Sequence, residues 1–221
     1  MKNSKANRQI ELPKVKVDEV IDLYSAGNIQ EAINKIKELN EDYPNVPLLF
    51  NILGACYKAL GQIDAAATMF KTAFTIKLDY AEAHFNYGVC QKIMGNNESA
   101  VESYKNAVNF LPNYPDAHNN LGNVLRALGR FKEAIESYEW ATAYRPEFAE
   151  AFNNLGIVFK DMDETDMAMS NFEKAIKLRP NFVDAIFNVA IINKELGNQE
   201  LSEHNLEKVI ELDPEHVNAY R

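Results

Sequence analysis

Cysteine, tryptophan and long apolar runs are scarce in this chain of 221 residues. Its two cysteines, Cys56 and Cys90, are too few for the disulfide framework of a small secreted domain. No apolar run approaches the roughly 20 residues that a membrane-spanning helix needs, and the stretch Met1–Lys16 lacks the apolar segment of a signal peptide. The sequence therefore predicts a soluble, cytoplasmic protein.

Basic charge is also in short supply. The chain has 23 Lys and Arg residues against 32 Asp and Glu residues, which gives a net charge of −9. Nucleic-acid backbones and anionic membrane surfaces are bound by clustered basic residues, so we expect neither as a partner. Hydrophobic residues make up 47% of the chain, which excludes wholesale disorder.

Glycine and proline are few, yet they recur with a period of 34 residues. The six blocks of this period are 13–46, 47–80, 81–114, 115–148, 149–182 and 183–216. All nine glycines fall at block position 8 or 15, and all eight prolines at position 1 or 32. A fixed period of this length predicts a repeat array. Residues 1–12 form an N-terminal arm, and 217–221 match the start of a truncated seventh block.

Each block predicts two helices. Positions 3, 7, 10 and 14 carry apolar residues, such as Ala117, Leu121, Val124 and Leu128, in the spacing of one helical stripe. Glycine at position 15 ends this first helix. The second helix has small residues at positions 20 and 27 and a bulky one at position 24, and proline at position 32 ends it. The second block has Leu78 at position 32, so we expect its second helix to run longer.

This pattern resembles the tetratricopeptide repeat family over residues 13–216. The match is closest in the segments AHNNLGNVLRALGRFKEAIESYEWATAYRP and AFNNLGIVFKDMDETDMAMSNFEKAIKLRP. The resemblance implies an all-α, right-handed solenoid of six helix-turn-helix repeats. It also implies that the first helices line a concave face where partners bind. The first and last blocks depart from the pattern, as terminal repeats of solenoids commonly do.

No catalytic or metal-binding constellation stands out. His84 and His118 share block position 4, where the family has packing residues, and neither has a second ligand at helical spacing. Cys56 and Cys90 share position 10 of the apolar stripe, so they are predicted to be buried free thiols. We therefore expect no cofactor, no metal and no enzymatic activity in this chain.

Helix geometry predicts one face of the first helices as a peptide-binding groove. Block positions 2, 6, 9 and 13 share a stripe that positions 5 and 12 flank. Position 9 is mostly apolar, with Asn123 as the exception. The predicted groove residues are Glu82, Asp116, Glu150 and Asp184 at position 2; Asn51, Phe85, Asn119, Asn153 and Phe187 at position 5; Asn86, Asn120, Asn154 and Asn188 at position 6; Asn123 at position 9; and Lys58, Lys92, Arg126, Lys160 and Lys194 at position 12.

The asparagine column at position 6 has two interpretations. Asparagine is a poor residue in mid-helix, so either its amides bind a peptide backbone or they tie neighbouring repeats together. The binding interpretation predicts that changing all four to Ala abolishes peptide binding while the melting temperature stays unchanged or rises. For the acids at position 2 and the bases at position 12, a favourable interaction with the helix dipole is the simpler explanation.

Such a column is similar to the superhelix of the O-linked N-acetylglucosamine transferase family and to the arrays of bacterial transferases. The pattern departs from the repeats that clamp a terminal carboxylate with lysines, because position 2 is acidic and position 6 is asparagine. Three functions follow: a module that binds an extended peptide or protein segment, the substrate-recruiting region of a larger glycosyl- or sulfotransferase, and a self-associating scaffold.

The C-terminal end carries a further expectation. No polar capping helix follows the sixth block, so Leu206, Val209 and Ile210 are predicted to lack a cover. We therefore expect that the chain is the N-terminal piece of a longer protein, or that its C-terminal repeat packs on a second copy.

Overall fold

The structure, a computed structural model, describes residues 12–220. The chain divides into two compact units, which end and begin at Pro112 and Asn113. Within residues 12–220 the structure has twelve α-helices and no strand, which confirms the predicted all-α repeat array.

Each unit holds three helix pairs. The helices of the first unit are α1 (Lys14–Ser25), α2 (Ile29–Asp42), α3 (Pro47–Ala59), α4 (Ile63–Ile76), α5 (Ala81–Ile93) and α6 (Asn97–Phe110). Those of the second unit are α7 (Pro115–Ala127), α8 (Phe131–Tyr144), α9 (Ala149–Asp161), α10 (Thr165–Leu178), α11 (Val183–Glu195) and α12 (Gln199–Leu212), followed by a 3₁₀ helix (Val217–Tyr220). The odd-numbered helices are the first helices of the repeats.

The turn between the two helices of a repeat requires a left-handed backbone at block position 15. Gly129 has φ of 72° there, a conformation that costs glycine nothing because it has no Cβ. The fifth block has Asp163 at the same position, with φ of 62°. Aspartate is among the few other residues that adopt this region, so the turn is kept without glycine.

The glycines at position 8 leave room for the aromatic column at position 24. A Cβ built on Gly122 would lie 2.6 Å from the ring of Tyr138, and one on Gly54 would lie 2.7 Å from the ring of Phe70. Both rings are fully buried. The two helices of each such repeat can therefore approach closely only because the side chain at position 8 is absent, as the sequence pattern predicts.

The prediction that the second helix of the second block runs longer, because Leu78 stands in place of proline, is wrong. Helix α4 ends at Ile76 and has 14 residues, the same length as α6, α8 and α10. Lys77 is extended, with φ of −126° and ψ of 95°, close to the values of −135° and 92° at Arg179, which precedes a proline. Helix α5 packs against α4, so this packing sets the turn even where proline is missing.

The prediction that Val209 is uncovered is also wrong. Ala219 of the 3₁₀ helix packs in one cluster with Val209 and Ile186, and all three side chains are buried. Leu206 and Ile210 lie against the same cluster and are partly buried. Ala219 of the 3₁₀ turn thus covers part of the core of the last repeat.

Candidate functional site

The predicted groove residues lie on the first helices, which contact their neighbours within each unit. Helix α3 contacts α5 in the first unit, and α9 contacts both α7 and α11 in the second. We call the surface formed by block positions 2, 5, 6, 9, 12 and 13 of these helices the first-helix face. All four asparagines of position 6 are half-buried in it.

Asparagine side chains pair across neighbouring repeats on this face. In each pair, Nδ2 of the position-6 asparagine donates a hydrogen bond to Oδ1 of the position-5 asparagine in the preceding repeat. The pairs are Asn86 with Asn51 at 3.2 Å, Asn154 with Asn119 at 2.9 Å and Asn188 with Asn153 at 3.4 Å. Each bond uses one of the two N–H groups of the donor, and no bond within residues 12–220 uses the position-6 Oδ1. The interpretation that this column ties repeats together thus has a geometric basis.

The two phenylalanines of position 5 take the place of a paired amide. The ring of Phe85 lies 5.8 Å from that of Tyr104, and the ring of Phe187 lies 4.7 Å from the imidazole of His216. Both phenylalanines are half-buried. They contribute apolar area to the face where the other repeats present amides.

Asn123 serves the core of its repeat. Its Oδ1 accepts a hydrogen bond of 2.8 Å from the hydroxyl of Tyr138, which is fully buried. The equivalent hydroxyl of Tyr104 is also buried and has no partner in residues 12–220, because Val89 occupies position 9 there. Burial raises the pKa of both tyrosines. The exceptional asparagine at position 9 is therefore explained by the tyrosine that it satisfies.

Two of the acids at position 2 form ion pairs within their own repeat. Arg145 donates two hydrogen bonds to Asp116, at 3.0 and 2.7 Å, and Arg179 is bonded to Glu150. Burial acts to raise the pKa of Glu150, but the hydrogen bond from Arg179, a backbone hydrogen bond and the charges of Arg179 and Arg145 together outweigh it, and the pKa is lowered. The bond to Asp116 raises the pKa of Arg145.

Each of these arginines also lies over an aromatic ring. The guanidinium of Arg145 is 4.5 Å from the ring centre of Phe148, and that of Arg179 is 4.7 Å from the ring centre of Phe182. Sequence reasoning missed both arginines. Their signal was present, because each precedes a proline at position 32 and an aromatic residue stands three positions later.

Two of the bases at position 12 pair with the next repeat. Arg126 lies 3.2 Å from Asp161, and Lys160 lies 3.9 Å from Glu195. Both acids stand at position 13, which the sequence placed on the stripe without assigning it a role. The other three bases form no ion pair within residues 12–220; they are Lys58, Lys92 and Lys194.

All these inter-repeat contacts join residues 35 apart, one more than the repeat length. This holds for the three asparagine pairs and for Arg126 with Asp161. On the first-helix face, a side chain thus meets the residue one position further along in the next repeat. In the first unit this rule places Ile93 opposite Lys58.

The histidines and cysteines are packing residues, as predicted. His84 stacks on Phe74 with 4.3 Å between ring centres, and its Nε2 lies 2.9 Å from the Leu78 carbonyl oxygen. His118 stacks on Tyr144. Both cysteines are buried free thiols, and burial raises the pKa of Cys56 to about 11.

Among residues 12–220, no three His, Cys, Asp or Glu side chains cluster as metal ligands would. Over the same residues, no helix combines the length and the apolar character needed to cross a bilayer.

Comparison with known families identifies the repeat. A family model described as TPR repeat matches residues 92–128 and 122–163. Two models described as tetratricopeptide repeat match residues 149–182, and residues 49–80 and 183–216. Together the matches span more than half of the chain. No curated protein matches it in sequence.

Several solved structures share this fold. PilF of Pseudomonas aeruginosa has a TM-score of 0.82 at 13% identity, with 94% of each chain covered. YrrB, described as a TPR protein with an unusual peptide-binding site, has a TM-score of 0.71 at 19% identity, covering 84% of this chain and 95% of its own. The C-terminal part of a TPR repeat-containing protein from Cytophaga hutchinsonii has a TM-score of 0.73 at 25% identity, covering 88% of this chain and 78% of its own.

Proposed function

The chain belongs to the tetratricopeptide repeat family, and from that premise we propose that it binds an extended segment of a partner protein along its first-helix face. The observation that carries the proposal is the row of half-buried asparagine amides at position 6. Each paired amide keeps one N–H and its carbonyl oxygen uncommitted, which is the complement of one peptide unit.

Within the second unit, the spacing of Asn120, Asn154 and Asn188 suits an extended chain. Packed helices lie about 8–10 Å apart, and an extended peptide advances about 3.3 Å per residue. One asparagine therefore meets roughly every third residue of the ligand. Amides recognise backbone rather than side chains, so we expect loose sequence selectivity from this row alone.

Apolar residues beside the amides would receive the ligand's side chains. At position 9, Ala55, Val89, Ile157 and Ile191 are half-buried and remain accessible on the face. Their contact area adds to hydrogen bonds that are each worth about 0.5–1.5 kcal/mol net. The resemblance to YrrB supports a peptide-binding role at the level of the fold.

The finer resemblance to transferase arrays stays a prediction, as does self-association. The sequence downstream in the full gene would distinguish a transferase function from simple binding. Self-association is separated by the molar mass of the purified chain in light scattering. In both cases the first-helix face would still bind a peptide.

The test replaces the position-6 asparagines together with alanine. The quadruple variant is Asn86→Ala, Asn120→Ala, Asn154→Ala and Asn188→Ala, and binding is read on an array of extended peptides. We expect binding to be lost. We expect the urea midpoint to stay close to wild type, because losing the inter-repeat bonds is partly offset by the higher helix propensity of alanine.

The matched control uses asparagines on second helices. Asn34 and Asn109 are exposed in α2 and α6, away from the face, so replacing both with alanine changes helix propensity and removes only the exposed hydrogen bond from Gln30 to Asn34. This double variant should bind as wild type does. A quadruple variant that binds normally and unfolds at clearly lower urea would make the column purely structural and overturn the proposal.

A further inference from the structure

Two lysines stand at position 12 on the first-helix face of the first unit. Lys58 ends the exposed stripe of α3 and Lys92 that of α5, and neither forms an ion pair within residues 12–220. The equivalent bases of α7 and α9, Arg126 and Lys160, are both paired.

The 35-residue rule gives the reason. The position opposite Lys58 is occupied by Ile93, where the second unit has Asp161 and Glu195 in the equivalent places. Ile93 is 56% exposed, although an isoleucine on a folded surface gains nothing from contact with water. The first unit thus presents a cation beside an apolar side chain where the second presents a closed ion pair.

The surface beside these lysines is apolar. Ile52 stands at position 6 of α3 in place of asparagine, and Ala55 and Val89 follow at position 9 of α3 and α5. All three are half-buried. We call these six residues the basic apolar strip: Ile52, Ala55, Lys58, Val89, Lys92 and Ile93.

We propose that the basic apolar strip binds a partner segment in which carboxylates recur about every third residue, with apolar residues between them. The apolar side chains pack on Ile52, Val89 and Ile93, and the carboxylates pair with Lys58 and Lys92. Because α3 and α5 pack side by side at about 8–10 Å, the carboxylates are about three residues apart in an extended ligand. The inference rests on the proposed function and names the ligand chemistry of one part of the face.

The experiment uses three fluorescein-labelled peptides of roughly nine residues with one leucine framework. They carry Glu, Gln or Lys at every third position, and their affinity for the full chain is measured by fluorescence anisotropy at low salt. We expect the Glu peptide to bind most tightly, the Gln peptide less tightly and the Lys peptide most weakly. In about 1 M salt, where the screening length is about 3 Å, the Glu and Gln peptides should bind alike.

Charge reversal tests the lysines directly. The double variant Lys58→Glu and Lys92→Glu should bind the Glu peptide about tenfold more weakly and should now prefer the Lys peptide. The matched control is the double variant Lys37→Glu and Lys71→Glu, which makes the same change of charge at exposed lysines on the second helices α2 and α4, away from the face. It should leave the Glu preference of wild type unchanged.

A second variant keeps both lysines and supplies the missing acid. Ile93→Glu reproduces the pair that Lys160 makes with Glu195, so it should remove most of the preference for Glu over Gln. Ile93 is largely exposed, and circular dichroism should show an unchanged helix content. The variant separates the charge effect from any effect of mutating the lysines.

The outcomes distinguish the two proposals. If wild type binds none of the three peptides, the proposed function and this inference both fail. If it binds all three equally, or if Ile93→Glu and the double lysine variant keep the Glu preference, the function stands and the strip is wrong. An equal loss in the double variant Lys37→Glu and Lys71→Glu would move the charge effect off the strip and also overturn it.

Discussion

The first-helix faces of the two units differ although their backbones repeat. In the second unit, amides pair with amides and bases pair with acids, as Asn154 with Asn119 and Arg126 with Asp161. In the first unit, α3 and α5 keep one amide pair, Asn86 with Asn51, but they also carry the basic apolar strip, whose two lysines form no ion pair within residues 12–220. The second unit thus pairs two of its three position-12 bases, whereas α3 and α5 pair neither of theirs.

The difference shows which positions of the repeat are free to vary. Positions 8 and 24 are constrained in both units, because the side chain at one fills the space left by the other. Positions 6 and 13 differ between the repeats, since position 6 is Ile52 in α3 but Asn154 in α9, and position 13 is Ile93 in α5 but Asp161 in α9. Ligand chemistry can therefore change along the array without a change in the core.

The largest expected effect tests whether the two cores are equivalent. Gly54→Ala and Gly156→Ala each add a Cβ 2.6–2.7 Å from a buried ring, that of Phe70 or Phe172. Alanine favours a helix by about 1 kcal/mol over glycine, but the overpacking costs about 1–3 kcal/mol. We expect both variants to lower the urea midpoint by similar amounts.

A relief variant shows that the cause is steric. Gly54→Ala combined with Phe70→Leu should recover part of the loss, since the smaller side chain leaves room for the new methyl. An increase in stability in either single glycine variant would mean that the helices can move apart, and the constraint at position 8 would be refuted.

The next effect is smaller, and we expect its sign to differ between two tyrosines. Tyr104→Phe removes a buried hydroxyl that has no partner in residues 12–220. The free energy of unfolding of the first unit should therefore rise by about 1 kcal/mol. Tyr138→Phe removes a hydrogen bond to Asn123. The free energy of unfolding of the second unit should therefore fall by about 0.5–1.5 kcal/mol. Both changes are read from urea unfolding.

The neighbour at position 9 sharpens the tyrosine comparison. Val89→Asn would give Tyr104 the partner that Asn123 gives Tyr138, so the gain from Tyr104→Phe should disappear in that background. Changes of the same sign for Tyr104→Phe and Tyr138→Phe would contradict the assignment of the two hydroxyls.

The smallest effect concerns the ion pair of Glu150. The pKa of Glu150 is lower in the folded state than in the unfolded state. The ionised carboxylate therefore stabilises the fold at pH values above its unfolded-state pKa, and this stabilisation is lost as the pH falls through its folded-state pKa. Arg179→Gln should therefore lower the free energy of unfolding by less than about 1 kcal/mol near pH 7 and should not change it in strong acid.

The first unit supplies the control for this pair. Lys77 stands at the position of Arg179 and lies over the ring of Tyr80, without an ion pair in residues 12–220. Lys77→Gln should leave the urea midpoint unchanged at both pH values. An equal loss at neutral and acid pH for Arg179→Gln would assign its effect to stacking on Phe182 instead.

Much of the fold followed from the sequence because its causes are local. The helices of the second to sixth repeats occupy the same block positions, and the turn at position 15 is left-handed at Gly129 and at Asp163 alike. The error at Leu78 has the opposite origin. There the sequence lacks its stop signal, and the packing of α5 on α4 ends the helix.

The candidate site was predicted as a set of positions but not as a set of partners. The sequence placed the asparagines and the bases on one face, because a period of 3.6 residues fixes which side chains point together. It assigned Asn123 to the groove, where the structure shows it bonded to Tyr138. It gave Arg145 and Arg179 no role, although they pair with two predicted groove acids.

The sequence by itself determined the repeat, its helix ends, its glycine-aromatic core and the face that is exposed. Only the tertiary structure decided which residues meet across that face, since neighbouring helices are offset so that contacts join residues 35 apart. No single repeat encodes this offset, because it arises from how one packed pair of helices sits on the next. It pairs Arg126 with an acid and leaves Lys58 beside Ile93.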